Sequence, residues 1–186
     1  MGKYNIVLAD PPWSYTGQQD KWGAAAKFYP TMTNQELLDF PMMKYLSHRG
    51  ILFLWATSPK LDFAIECIKA WGLTYRGVGF VWVKTKRDGT PIAAQGVRPS
   101  IIKPLTEFVL CASKQETGRP LTLFDEAAVQ TIFDDVVFYP KQEHSRKPDL
   151  VQDRIDKMYP SSIYSKIELF ARRKRDGWDS WGNEVE

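Results

Sequence analysis

Tyr4-Asn5-Ile6-Val7-Leu8-Ala9-Asp10-Pro11-Pro12-Trp13 is the stretch that decides the fold. A short apolar run that stops at a carboxylate and two prolines predicts a strand from Tyr4 to Ala9. It ends in a stiff turn, because proline fixes its own φ and donates no ladder hydrogen bond. Asp10 then stands just past the carboxyl end of a strand. In an open α/β sheet that is where ligands bind.

Working outward, Gly50-Ile51-Leu52-Phe53-Leu54-Trp55-Ala56 is a continuous apolar run, as expected of a strand buried on both faces. Between the two, Thr33 and Glu36 form a capping-box pattern that opens a short helix through about Phe40. Ser58-Pro59 offers a cap and a first-turn proline for a second helix. Leu61, Ala64, Ile65 and Ile68 recur there at helical spacing, and Gly72 ends it. Gly77 to Val83, Thr106 to Ala112 and Lys166 to Ala171 read as further strands, with a short one near Val136 to Tyr139. Pro148 to Met158 reads as a helix with Val151, Ile155 and Met158 on one face. Strands alternating with helices predict a single α/β domain over residues 1–186, with a mostly parallel sheet covered on both sides. Ser14 to Tyr29 and Lys84 to Lys103 read as long loops, a length that usually carries function in a compact domain.

Composition narrows the classes. The 186 residues are 44% hydrophobic and suit one substantial core rather than disorder. Cys67 and Cys111 lie in apolar runs without His or Cys at ligand spacing, and His48 and His144 stand far apart, so no metal site is expected. No apolar stretch approaches the ~20 residues of a membrane span, and the N-terminus lacks a signal pattern, so a cytoplasmic protein is expected. A net charge of +3 and a pI near 8.8 permit a polyanionic partner without demanding one.

The chemistry that Asp10-Pro11-Pro12-Trp13 makes possible is methylation of an aromatic amine. The lone pair of such an amine is delocalised into the ring, so the nitrogen is a poor nucleophile. A carboxylate on Asp10 and the rigidly held Pro11 carbonyl can each accept one amine hydrogen and aim the lone pair along the line of attack. Pro12 keeps that carbonyl in place, and Trp13 or Tyr15 would stack on the extracted base. Such a direct transfer needs neither a covalent nucleophile nor a metal. The plain structural alternative is an acidic strand end followed by a proline turn.

Six segments occur in order: Asp10-Pro11-Pro12-Trp13, Phe53-Leu54-Trp55-Ala56-Thr57, Trp82-Val83-Lys84-Thr85, His144-Ser145-Arg146-Lys147-Pro148-Asp149, Glu168-Leu169-Phe170-Ala171-Arg172 and Trp181-Gly182-Asn183-Glu184. Together they resemble the MT-A70 family of S-adenosylmethionine-dependent N6-adenine methyltransferases, and the compact length resembles its prokaryotic and phage DNA enzymes. The resemblance implies a permuted Rossmann-like methyltransferase fold, with the target-base half first and the cofactor half last. It implies that Asp10 borders the S-adenosyl-L-methionine site and that Lys147 reaches the cofactor's carboxylate. It also implies that Glu168 and Arg172 line the cofactor pocket, and that Asn183 and Glu184 contact its ribose side. Arg173 and Arg175 read instead as a solvated basic turn, while Lys174 could meet cofactor or nucleic acid. Tyr29 would border the base pocket, Trp55 would pack in the sheet or line that pocket, and Trp82 stands at the mouth of the basic loop.

Lys84, Lys86, Arg87 and Arg98 would hold substrate phosphates on the rim formed by the two long loops. The expected substrate is adenine in DNA. RNA methylation, or a catalytically silent nucleic-acid-binding subunit, are the alternatives. A monomer or homodimer without membrane attachment is expected.

Overall fold

In a computed structural model of the chain, residues 2–14, 32–92, 104–142, 146–182 and 185 are described. Seven strands form one sheet: β1 (Tyr4–Ala9), β2 (Leu46–Thr57), β3 (Thr74–Thr85), β4 (Thr106–Ser113), β5 (Val136–Pro140), β6 (Lys166–Leu169) and β7 (Asp179–Trp181), in the order β5-β3-β4-β2-β1-β6-β7. Every pairing is parallel except those of β4, which runs against both β2 and β3. The sheet is therefore mostly parallel, and the carboxyl ends of six strands share one edge with the amino end of β4. From β1 the chain crosses to β2 on one side and returns late to β6 on the other. That reversal places a topological switch point at the end of β1.

Alternation along β1 explains why it sits in the middle. Val7 and Ala9 pack into one core layer with Leu52, Leu54, Leu110 and the buried face of α2 (Leu61–Ala70). Ile6 and Leu8 pack into the other with Phe53, Trp55, Val109 and the buried face of α4 (Asp149–Met158). Val151, Ile155 and Met158 all lie on that face, as their spacing predicts. The capping box of α1 (Asn34–Leu38) is present in full, with the Thr33 hydroxyl accepting from the Glu36 amide and the Glu36 carboxylate accepting from the Thr33 amide at 2.8 Å.

Several elements differ from the sequence reading. The β2 strand begins at Leu46 and runs to Thr57, so the chain leaves it through a 3₁₀ turn, Ser58–Lys60, and Ser58 makes no capping bond. The β3 strand extends through Thr85, which moves Lys84 from the expected loop into the sheet, opposite Tyr139 of β5. The β6 strand stops at Leu169 because Phe170 takes a φ of 60°, a left-handed conformation that no strand continues through. A helix was not foreseen in the ambiguous stretch, where α3 (Glu126–Thr131) is capped by Asp125 accepting from the Ala128 amide at 2.9 Å. Among the described residues, no helix is long and apolar enough to cross a membrane.

Candidate active site

Asp10 leaves β1 at the shared carboxyl edge, where its amide donates to the Leu169 carbonyl at the end of β6 at 3.4 Å. Its carboxylate meets the Lys147 ammonium at 2.9 Å, and the side chain is 17% exposed. Lys147 arrives from the segment before α4 and also lies 3.3 Å from Glu107, the second residue of β4. Glu107 in turn pairs with Lys84 at 2.5 Å. The result is an ordered row of alternating charge, Lys84–Glu107–Lys147–Asp10, across the end of the sheet. Two tryptophans support it from below: Lys147 lies 5.6 Å from the ring centre of Trp55, and Lys84 lies 5.1 Å from that of Trp82. The two indoles pack edge to face and are 2% exposed, so both belong to the core, with their faces towards the lysines.

The row distributes protons unevenly. Burial works against the charged form of Glu107, but Lys147 and Lys84 together outweigh it and hold the carboxyl below its ordinary value. Asp10 has burial acting in the same direction and shares its lysine with Glu107. Its carboxyl is raised, and the nearby negative charge of Glu107 adds to the rise. Burial alone would lower Lys147, yet the two flanking carboxylates raise it and keep it cationic.

The two prolines fold the motif back on itself. The Trp13 amide donates to the Pro11 carbonyl at 2.8 Å, a three-residue turn that fixes the carbonyl's direction and occupies one of its two lone pairs. The Trp13 indole nitrogen donates to the Trp55 carbonyl at 3.2 Å, and its ring packs edge-on against Phe63. At 5% exposure Trp13 is wedged into the core and offers no free face for stacking. It is a wall of the motif, and of the two rings considered for stacking that leaves Tyr15, which lies outside the described residues.

On the other side of β1, burial is the main reason that the Glu168 carboxyl is raised to about 7. The buried Gln152 amide of α4 donates to it at 2.9 Å. Glu168 is in register with Leu8, two residues before Asp10. The Phe170 backbone that follows is the one non-glycine at positive φ among the described residues, a conformation held at a cost of about 1–3 kcal/mol. It turns the chain so that Ala171 accepts no further strand partner and instead donates to the Trp181 carbonyl at 3.0 Å. Gly182 packs directly on this turn, where a β-carbon would fall 2.3 Å from the Ala171 carbonyl oxygen. The glycine of Trp181-Gly182-Asn183 thus allows a close approach of two backbones. Arg172 lies within electrostatic reach of Asp10 and lowers its carboxyl, consistent with a place beside the site.

Several expected residues fall elsewhere. Lys84 is not on a loop rim, because β3 carries it into the sheet and Glu107 engages its charge. Arg173 and Arg175 are not a solvated turn: Arg173 pairs with Asp149, and Arg175 pairs with Asp153 at 2.6 Å and Asp156 at 2.8 Å, tying the turn to α4. Lys86 and Arg87 are exposed in the turn after β3, where Gly89 donates back to Lys86. Tyr29, Arg98, Asn183 and Glu184 lie outside the described residues. Glu107 and Gln152 were not anticipated. The signal for Glu107 was present, since it is the one acid of an otherwise uncharged strand.

A switch point at the carboxyl edge of a mostly parallel sheet, with the buried acids Asp10 and Glu107 gathered around Lys147, is the arrangement of a Rossmann-like fold with its site at that edge. The MT-A70 family model matches residues 4–184. The chain is 32% identical over 201 residues to the type II methyltransferase M.MunI of a Mycoplasma species, covering 98% of this chain and 78% of that protein. It is 29% identical over 191 residues to the human N(6)-adenosine-methyltransferase catalytic subunit METTL3, covering 100% of this chain but 29% of that one. A similar match, 30% over 190 residues, joins it to a probable N(6)-adenosine-methyltransferase of rice, of which it spans 23%. The chain belongs to the MT-A70 family and is a methyltransferase.

Proposed function

We propose that the chain transfers a methyl group from S-adenosylmethionine to the exocyclic N6 amine of adenine in DNA by direct in-line displacement. The observation that carries this reading is the Asp10 carboxylate. It is desolvated, raised in pKa, and placed beside a carbonyl whose direction is fixed by its own turn.

The residues at the edge fit such a donor. A molecule bearing a carboxylate, an ammonium group and a ribose diol needs one cation and several acceptors. Lys147 would hold the carboxylate, and Glu168, whose second oxygen accepts from Gln152, would accept from the ribose hydroxyls. The buried Glu107 Oε2 is met only by Lys147, at 3.3 Å, among the described residues, so the edge retains acceptor capacity. Arg172, Asn183 and Glu184 complete the cofactor side in this assignment. When bound, S-adenosylmethionine supplies a methyl group on a sulfonium sulfur, open to displacement by a nitrogen lone pair.

Asp10 accepts one hydrogen of the adenine amine, and the free lone pair of the Pro11 carbonyl accepts the other. The nitrogen is then held with its own lone pair directed at the methyl group. As the N–C bond forms, the amine becomes cationic and must lose a proton. A carboxylate whose pKa is raised by burial is a better base for that proton than an exposed one. Trp13 and Trp55 keep the floor of the pocket apolar, which strengthens each of these interactions.

DNA is favoured on similarity. The chain is 32% identical to the Mycoplasma type II methyltransferase across 98% of its length, against 29% to the human and 30% to the rice N(6)-adenosine enzyme. The test is transfer of a labelled methyl group to single- and double-stranded DNA and RNA oligomers by wild type and Asp10→Ala. Label in DNA adenine, abolished in the variant, is the expected result. Equal labelling by both proteins would overturn the role of Asp10, and label confined to RNA would overturn the substrate.

A further inference from the structure

Beyond the row of charges, the carboxyl end of β5 forms an open groove of about 640 Å³ lined by Arg87, Tyr139, Pro140, Lys141, Gln142 and Arg146. Sites of ~300–1,000 Å³ accommodate ligands of the size of a nucleotide. Among the described residues the lining holds three cations and no acid. Arg87 and Lys141 are exposed and make no ion pair among the described residues. Arg146 has Asp149 at 2.9 Å, yet its side chain remains 49% exposed.

The groove is built on the sheet rather than on free loops. The Lys141 amide donates to the Thr85 carbonyl at 3.1 Å, and the Trp82 indole donates to the Tyr139 carbonyl at 2.9 Å. The half-buried Tyr139 ring packs against the same core layer as Trp82, so it is a fixed surface and not a swinging side chain. Tyr139 is also the cross-strand partner of Lys84, the first member of the row that ends at Asp10. An aromatic face flanked by unmatched cations is the combination that binds a single polynucleotide strand, the ring stacking on a base and the cations holding phosphates.

We propose that this groove holds a nucleotide of the substrate strand several positions away from the target adenine. Its base stacks on Tyr139, and its phosphates lie against Arg87 and Lys141. The proposal rests on the reading of the chain as a polynucleotide methyltransferase. The sheet order puts β5 four strands from β1, about 19 Å away at the usual strand spacing. At 3.4 Å per stacked nucleotide that is roughly five to six positions. A long strand reaches both places, and a strand with two nucleotides on each side of the adenine reaches only Asp10.

The experiment uses the full chain and single-stranded DNA with one central adenine, at lengths of about 15 and about five nucleotides. Binding is read by fluorescence anisotropy across a salt series, and methyl transfer is read on the same two strands. Tyr139→Ala is expected to weaken binding of the long strand about tenfold and to raise its KM by a similar factor, with kcat and the short strand unchanged. Tyr139→Phe keeps the stacking face and should bind as wild type, which separates lost stacking from lost folding. Arg87→Ala and Lys141→Ala should each reduce the slope of log affinity against log salt by about 0.7. Unchanged binding of the long strand by Tyr139→Ala and by the double arginine–lysine variant would overturn the groove while leaving the methyltransferase reading intact. If wild type methylated neither strand and none of the duplex DNA and RNA oligomers either, that reading would fall instead, and the anisotropy comparison would still decide the groove.

Discussion

The two edges of the sheet treat buried charge in opposite ways. At the amino edge, Arg76 donates to the Ser113 hydroxyl at 3.0 Å and to the carbonyls of Gln115 and Gly118 at 2.6 Å. Arg49 donates to the Pro120 carbonyl at 2.9 Å. Lys166, whose side chain is fully buried, pairs with Asp156 and packs against the Trp178 ring. Each cation there has neutral carbonyls or a carboxylate oxygen within hydrogen-bond reach. At the carboxyl edge, one lysine serves both Asp10 and Glu107, and Glu168 has an amide for its hydrogen-bond partner. The first arrangement stabilises the fold. The second leaves the Asp10 and Glu168 carboxyls desolvated and raised, a condition that matters once a ligand supplies the missing cation or hydroxyl.

The contrast breaks most visibly at Asp10. Asp10→Asn keeps the shape and removes the charge that meets the developing cation on the amine. Methyl transfer should fall on the order of 10²–10³-fold, the size seen when one preorganised electrostatic partner is lost. Thermal stability should be unchanged or raised, since Lys147 keeps Glu107 as its partner. A melting temperature that fell together with activity would place Asp10 among the stabilising charges instead. The counterpart at the other edge is Asp156, which accepts from Lys166, from Arg175 and from the Trp178 indole. Asp156→Ala strands a buried ammonium and should cost about 3 kcal/mol in urea unfolding. Its kcat and KM per folded molecule should match wild type. Lost activity at full stability would erase the distinction between the edges.

What the sequence made legible was whatever depends on neighbours along the chain. The β1 run with its proline stop, the Thr33–Glu36 box and the helical spacing of Val151, Ile155 and Met158 all have local causes, and they stand where expected. Glu107 escaped notice because its meaning comes from Lys147, forty residues later, and from the antiparallel register that sets it between Thr57 and Trp82. Lys84 was misplaced because a run of basic and glycine residues resembles a loop, while pairing with β5 carries the strand two residues further. Trp13 was offered, as the alternative to Tyr15, for stacking by its place in the motif, and only packing against Trp55 and Phe63 reveals it as a wall. The positive φ of Phe170, which ends β6 at the site, leaves no trace in a sequence that has no glycine there.

The subtlest difference between the edges is a titration. Burial raises the Glu168 carboxyl to about 7, against an ordinary 4.5. The folded chain therefore holds more protons than the unfolded one between those values. Without donor its stability declines as pH rises through that window. Donor affinity runs the other way, because hydroxyl groups donate better to a carboxylate than to a carboxylic acid. A single group titrating near 7 predicts that donor affinity rises about tenfold between pH 6 and pH 8. Isothermal titration with the methyl donor alone would read this. In Glu168→Gln the amide cannot titrate, so the profile should flatten, and the pH 8 affinity should drop about tenfold for one lost hydrogen bond to a charged group. A glutamine variant that kept the wild-type slope would assign the titration to another carboxyl of the edge, with Asp10 the first to examine, since its charge and that of Glu168 each feel the same lysine.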